Sequence, residues 1–507
     1  MEKIIYKAEK ELTSKELLNK ILIFASIAIV AVSVIVRIIM YIKCPSLWQD
    51  EADLAYTIVP RSWLELLTPP LAALPGSPQS APILYVLAVK AIGSIFGYSE
   101  GSLRIFSFFA FIGLLILEVI FLKKIFNFSN CKIAFVIVMS ALLPSYIWFS
   151  NELKPYMSDA FFVLLIILLY FYYTQGKVKL PILTFLYILI LGFSSPAVFF
   201  IGGTLSFEFV SAILNKNKKQ MLYTAISGIT IIVIFALYYH WWLQPANELM
   251  KGWWDIYDKN SIIHRIMSIF SIGGRTNFFV CFFLPFALLG IYSLCKSKNR
   301  IAWSVVLSLS LAFLASSIGK WPLAGRLWQF LPAIIFIFTP IGANIVINKT
   351  KNRKIMNATG FSFLVALTLY LSVNCLMFAS NKMYYHTAEI NPLISYVQEN
   401  IKDDEKLYVY PNTIATFRFK NGYNATKIGN ATDNNIIYGK SGEWNADVLG
   451  NDLQSILENK KTYLIFCLYY PEEVENCLAV LRKYGTLTEI MNVYGTPLYY
   501  FERNEVP

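Results

Sequence analysis

The chain has 507 residues, 56% of them hydrophobic and 15% charged, with a net charge of +12 and a mean hydropathy of +0.52. Soluble domains carry about a quarter charged residues, so this composition excludes a soluble globular protein. The Lys and Arg excess sits in short clusters between apolar runs, which excludes a nucleic-acid footprint. Seven scattered Cys and three isolated His indicate neither a disulfide framework nor a zinc site.

Apolar runs of helix length fall near 21–42, 82–97, 102–122, 132–149, 157–173, 180–193, 196–214, 220–240, 276–295, 301–318, 327–348 and 355–379. A hydrocarbon core about 30 Å thick is crossed by roughly 20 such residues. The first run is too long for a signal-peptide core and lacks a small-residue cleavage site, so it is predicted to stay as an anchor. Basic clusters follow at Lys123/Lys124/Lys132, Lys177/Lys179, Lys216/Lys218/Lys219, Lys296/Lys298/Arg300 and Lys349/Lys351/Arg353/Lys354. Short cytoplasmic loops are enriched in Lys and Arg. These clusters and the Lys-rich N-terminus all fall inside only if 82–97, with Lys90 in its middle, does not cross. Eleven spans and one juxtamembrane helix are therefore predicted. Loops 43–101, 150–156, 194–195, 241–275 and 319–326 then lie outside, with everything after about 380.

Two domains are expected: residues 1–380 in the membrane, and 381–507 as a small extracytoplasmic α/β domain. In the second, helical patterns at Ile390–Ile401, Ala446–Glu458 and Glu472–Lys483 alternate with β-rich runs at Leu407–Tyr410, Thr462–Cys467, Leu487–Val493 and Pro497–Glu502. Cys467 and Cys477 could pair there, although one ends a strand and the other lies in the next helix.

The candidate chemistry lies in the outer loops. Asp50 and Glu51 directly follow the first span and open a helix-like stretch. A carboxylate at the bilayer surface meets a low dielectric, which favours a stronger base. Helical neighbours diverge by about 100°, so one carboxylate of the pair can face a given cavity; the plainer alternative is that both cap a surface helix. The second loop holds Glu152 and Lys154 between long apolar spans, followed by Tyr156. These charges need partners to lie near lipid. Arg326 lies at headgroup depth, where its planar fork of donors suits a lipid phosphate, with Lys154 and Arg104 able to share the anion. Arg37, near the outer end of the first span, is expected to snorkel. Glu118 and Glu208 are the few mid-span acids. Trp241, Trp242, Trp253, Trp254 and Tyr257 form either an interfacial belt or a surface for stacking on sugars.

Taken together, four stretches resemble the GT-C superfamily of membrane glycosyltransferases. They are Asp50-Glu51, Ala81-Pro82-Ile83-Leu84-Tyr85 with Ser99 to Arg104, Leu143 to Tyr156, and Ala324 to Pro332. The similar branch contains the family 39 dolichyl-phosphate-mannose protein mannosyltransferases and the lipid A aminoarabinose transferases. The resemblance implies a polytopic α-helical membrane enzyme with a C-terminal α/β domain, facing out of the cytoplasmic membrane. It would move a sugar, with inversion, from a polyprenyl-phosphate donor to a hydroxyl of an envelope lipid, polysaccharide or protein. Asp50 would be the catalytic base with Glu51 in support. Arg326, Lys154 and Arg104 would hold the donor phosphate, and Glu152 and Tyr156 would line the cavity. Where many relatives carry His or Lys, the stretch Ser77 to Pro82 carries no charge, which shifts phosphate binding to Arg326 and Lys154. A lipid monophosphate donor does not oblige a metal, and no second-loop Asp-x-Asp is present. No cofactor is therefore expected, a divalent cation being the less favoured case. The rival readings are a transporter or flippase of lipid-linked saccharides, which usually shows internal repeats and ionisable groups deep in its spans, and a polysaccharide polymerase or ligase.

Overall fold

The computed structural model describes residues 2–43, 45–68, 79–249, 271–272, 275–276, 278–323, 325–350, 352–379, 389–440, 446–467, 469 and 471–504. The apolar runs become helices, because in lipid each backbone N–H and C=O must be satisfied within its own segment. In chain order these are α1 (Glu2–Lys43), α2 (Gln49–Ile58), α3 (Ile83–Phe96), α4 (Glu100–Lys124), α5 (Asn130–Leu142), α6 (Pro144–Phe149), α7 (Tyr156–Thr174), α8 (Leu180–Phe193), α9 (Ala197–Leu214), α10 (Lys218–Tyr238), α11 (Phe278–Lys296), α12 (Arg300–Ser317), α13 (Phe330–Lys349) and α14 (Arg353–Ala379). Among the described residues eight are long and apolar enough to cross a membrane: α1, α4, α7, α9, α10, α12, α13 and α14. Of the other three predicted spans, those in α5 and α8 are shorter apolar helices, as is α3, and α11 is apolar over Val280–Lys296 among the described residues.

The run predicted as one helix over 132–149 is two. Leu143 adopts an extended conformation between α5 and α6, with φ −61° and ψ 119°. Pro144 causes this, since the residue before proline is pushed out of the helical region and proline itself cannot donate. The short α6 thereby turns into the second loop and is buried throughout, apart from its N-terminal proline. Close helix contact elsewhere depends on glycine. A Cβ on Gly342 of α13 would lie 1.9 Å from the Phe286 carbonyl oxygen of α11, and one on Gly290 of α11 would lie 2.5 Å from the Phe338 oxygen. Without hydrophobic driving force in lipid, such backbone approach is a main source of helix association.

Arg37 does not snorkel. Its side chain is fully buried, donating from Nε to Ser150 Oγ at 3.0 Å and from Nη1 to the Ser33 carbonyl and hydroxyl. Its guanidinium lies 3.8 Å from the centre of the Phe111 ring, replacing water with cation–π and hydrogen-bond partners. The mid-span acids are also bonded. Glu118 accepts from Ser140, while Glu208 accepts from Tyr170 and Gln220 and pairs with Arg300.

The predicted domain boundary near 381 lies outside the described residues. From Glu389 the chain forms a five-stranded mixed sheet of β1 (Lys406–Val409), β2 (Ile436–Tyr438), β3 (Lys461–Ile465), β4 (Gly485–Val493) and β5 (Thr496–Arg503), in the order β2-β1-β3-β5-β4. The β1 strand pairs in parallel with β2 and β3, and β5 runs antiparallel to β3 and β4. Helices α15 (Asn391–Asn400) and α16 (Ile414–Asn421) cover one face; α17 (Ala446–Leu457) and α18 (Pro471–Tyr484) cover the other. Alternation along β1 explains the two cores: Leu407 and Val409 pack toward α15, and Tyr408 toward α18. Neither α16 nor β2 was expected. Cys467 and Cys477 belong to the cores on opposite faces of the sheet and form no disulfide with each other. Burial pushes each thiol up to about 12.

Candidate active site

Asp50 and Glu51 open α2, and their divergence sends them to different partners. Arg326 Nη1 donates to Asp50 Oδ2 at 2.6 Å, across 276 residues of chain, and Lys154 Nζ lies 3.9 Å from the same oxygen. The Asp50 and Arg326 side chains are 27% and 30% exposed. Lys154 is buried and donates to Gln79 Oε1 at 2.6 Å. One carboxylate and two cations thus meet at the start of α2, with partial access to solvent.

Glu51 turns inward. Arg104, one turn into α4, donates Nε to Glu51 Oε1 at 2.8 Å and Nη2 to Oε2 at 2.6 Å. This two-pronged pairing uses the planar fork of the guanidinium. The Leu153 amide also donates to Glu51 Oε1, and the remaining Arg104 donors reach the Pro45 and Ser46 carbonyls. Arg104 is therefore directed at Glu51 and the chain before α2. Glu51 likewise organises the first and second loops from the interior.

Glu152 is buried and accepts from the Trp48 indole Nε1 at 2.6 Å. Burial pushes its pKa up and the neighbouring Glu51 pushes the same way, while Lys154 opposes. Tyr156, at the first position of α7, is buried edge-on against Phe149. Lys90 of α3 caps the other end of α2, donating to the Ile58 and Val59 carbonyls at 3.0 Å each.

This constellation sits at one end of the helix bundle. Arg104 is one turn into α4, whereas Lys123 and Lys124 close that helix about 30 Å away, at 1.5 Å per residue. Likewise α7 begins beside Lys154 and ends before Lys177, and α13 begins after Arg326 and ends at Lys349. The α/β domain lies at the site end. Ser46 bonds Glu389, Asn391 bonds Glu100 at the start of α4, and Tyr56 of α2 meets Tyr423 edge-on at 4.6 Å.

Two solved structures align along nearly the whole chain. ArnT from Cupriavidus metallidurans in the apo state superposes with a TM-score of 0.53 at 11% identity, covering 94% of this chain and 97% of that chain. ArnT from the same organism bound to undecaprenyl phosphate gives 0.52 at 10% identity with the same coverage. The chain has the GT-C fold. No family model and no curated protein matches the sequence, so the GT-C likeness stands on shape.

Within this GT-C fold the structure brings Asp50, Lys154 and Arg326 together, next to the buried side chains of Glu51, Arg104 and Glu152. Four contributors were missed from sequence: Gln79, Trp48, Ser46 and Glu389. Gln79 lies in the uncharged stretch before α3 and had a weak signal, being an amide beside prolines. The other three act through contacts with no local pattern. Trp253, Trp254, Tyr257 and Ala324 lie outside the described residues. Trp242 is buried, its indole bonded to the Ala81 carbonyl, and Trp241 is exposed. Among the described residues no three His, Cys, Asp or Glu side chains gather as a metal ion would need.

Proposed function

We propose that this protein is an inverting glycosyltransferase that moves a sugar from a polyprenyl-phosphate carrier to an acceptor hydroxyl of an envelope lipid, polysaccharide or protein. One observation carries the reading: Asp50 is held 2.6 Å from Arg326 and 3.9 Å from Lys154. A candidate base and two candidate phosphate ligands therefore share one place.

The donor phosphate would take over the Arg326 and Lys154 donors, releasing Asp50 from its ion pair. Asp50 would then accept the acceptor's hydroxyl proton as that oxygen bonds the anomeric carbon. The bond from that carbon to the phosphate oxygen breaks, and the electron pair leaves on the phosphate. The cations stabilise this developing charge. A single displacement needs one base, in contrast to the two carboxylates of retaining glycoside hydrolysis. Glu51 and Arg104 hold α2 in place, and Glu152 and Tyr156 flank the site. No metal has a step in this scheme. The fold's likeness to a structure containing undecaprenyl phosphate supports a polyprenyl donor. Basic clusters at the far end of the bundle support a multi-pass protein of the cytoplasmic membrane whose site and α/β domain are extracytoplasmic.

The test uses purified protein in lipid, a panel of radiolabelled polyprenyl-phosphate sugars and crude envelope acceptors. Wild type transfers label, and Asp50→Asn abolishes transfer while still expressing and binding undecaprenyl phosphate. Most of the activity surviving in Asp50→Asn would refute the base assignment. Transfer that persists undiminished in excess EDTA is expected, and its loss would refute metal independence.

A further inference from the structure

The α/β domain is joined to α2 by hydrogen bonds that the reaction scheme leaves unused. Glu389, the first described residue of that domain, grips Ser46 with both carboxylate oxygens. The Ser46 hydroxyl donates to Oε1 at 2.8 Å and the Ser46 amide donates to Oε2 at 3.0 Å. The same hydroxyl accepts from the Ile390 and Asn391 amides at 3.2 Å each, at the start of α15. Ser46 is buried, so these bonds are shielded from water. Its carbonyl in turn accepts from Arg104 Nη2, and Arg104 holds Glu51, the neighbour of Asp50. Two further contacts brace the same joint. Trp48 packs against the α15 and α16 side of the domain core while its indole bonds Glu152. Asn391 Nδ2 donates to Glu100 at 3.1 Å, tying α15 to the helix that carries Arg104.

We propose that Glu389 is a positioning residue for the transferase site, acting through Ser46 and Arg104 to fix α2, and with it Asp50, against Arg326. The inference rests on the transferase reading. It gives the α/β domain a part in turnover without requiring it to touch the sugar. Ser46 and Trp48 flank Leu47 immediately before α2, so a loosened Ser46 changes the direction in which α2 starts. Catalysis is sensitive to such errors: a displacement of about 1 Å can cost on the order of a hundredfold in rate.

The test compares full-length Glu389→Gln, Ser46→Ala and the double variant in lipid. Gln keeps one acceptor and turns the other into a donor facing the Ser46 amide. Each single variant is expected to lower kcat about tenfold, with the Kd for undecaprenyl phosphate within about twofold of wild type. The double variant should be no slower than the worse single, as for two ends of one interaction. Amide hydrogen exchange over residues 49–58 should quicken in all three, with that of α7 and α13 unchanged. Wild-type kcat in Glu389→Gln, or unchanged exchange over 49–58, overturns the inference. So does a parallel collapse of stability, lipid binding and kcat, which marks a general folding role. If wild type neither binds undecaprenyl phosphate nor transfers any sugar, the transferase reading is what fails, and the exchange measurement still decides whether Glu389 holds α2.

Discussion

Glu152 lies buried between Trp48 and Lys154, and its protonation follows from that place. Burial and the negative neighbours Glu51 and Asp50 favour the neutral acid; Lys154 and the Trp48 indole favour the anion, and burial is the largest effect. The folded chain therefore keeps this proton at pH values where the unfolded chain has released it. Since the unfolded state then binds fewer protons, stability falls as pH rises through the window from the ordinary Glu value of 4.5 to about 8. Glu152→Gln cannot ionise, so its apparent unfolding temperature in detergent should fall less across that window than that of wild type. Equal slopes would show that Glu152 ionises normally in the fold. At this scale the sequence was legible where chemistry and location coincide: Asp50 after a span, Arg326 before one. It was silent about Ser46 and Glu389, which lie 343 positions apart and meet only through the tertiary fold.

The element that organises the site is α2, only ten residues long. Isolated helices of that length are marginal, so its order comes from packing and from its ends. Ala52, Leu54, Ala55 and Ile58 are fully buried, Lys90 bonds the last carbonyls, and Arg104 grips Glu51 at the start. Arg104→Ala would leave Glu51 as an uncompensated buried charge, a loss of about 3–5 kcal/mol for a broken buried pair. Arg104→Lys should recover only part of it, because an ammonium lacks the planar fork. Thermal unfolding in detergent checks both. An Arg104→Ala chain of full stability that has lost only lipid affinity would return Arg104 to the phosphate. The acidic opening made the start of α2 readable in the sequence. The helix that covers it, α16, was not, because Ile414–Asn421 is short and has no clear apolar period. The break at Pro144 carried its own signal, which the surrounding apolar run of 132–149 masked.

At the scale of the whole molecule, apolar length and alternating charge made the bundle legible, and the mixed strand and helix periods of the C-terminal part made its α/β class legible. The run 132–149 fell short as a single helix because a count of apolar residues does not see the break that Pro144 makes. The charge pattern predicts an orientation that chemical labelling can read. Glu458 is exposed on the α/β domain, and Lys216 is exposed at the far end of α9. With the parent chain as blank, a membrane-impermeant maleimide added to intact cells should modify Glu458→Cys and spare Lys216→Cys until the membrane is opened. The reverse pattern would invert the topology and move the site to the cytoplasm.

The pairing of Asp50 with Arg326 also bears on what an idle protein does in a bilayer full of anionic headgroups. A lone guanidinium at that depth would collect whichever phospholipid drifted past. With its own carboxylate as resident counter-ion, the arginine is already neutralised, so any visiting anion has to outcompete a partner that never diffuses away. A common phospholipid brings little beyond its phosphate to that contest, whereas a carrier that also lodges a long isoprenoid chain and a sugar brings several further contacts. In the proposed transferase the ion pair would thus work as a filter, and the ligand that passes it would be the one whose arrival sets the carboxylate loose.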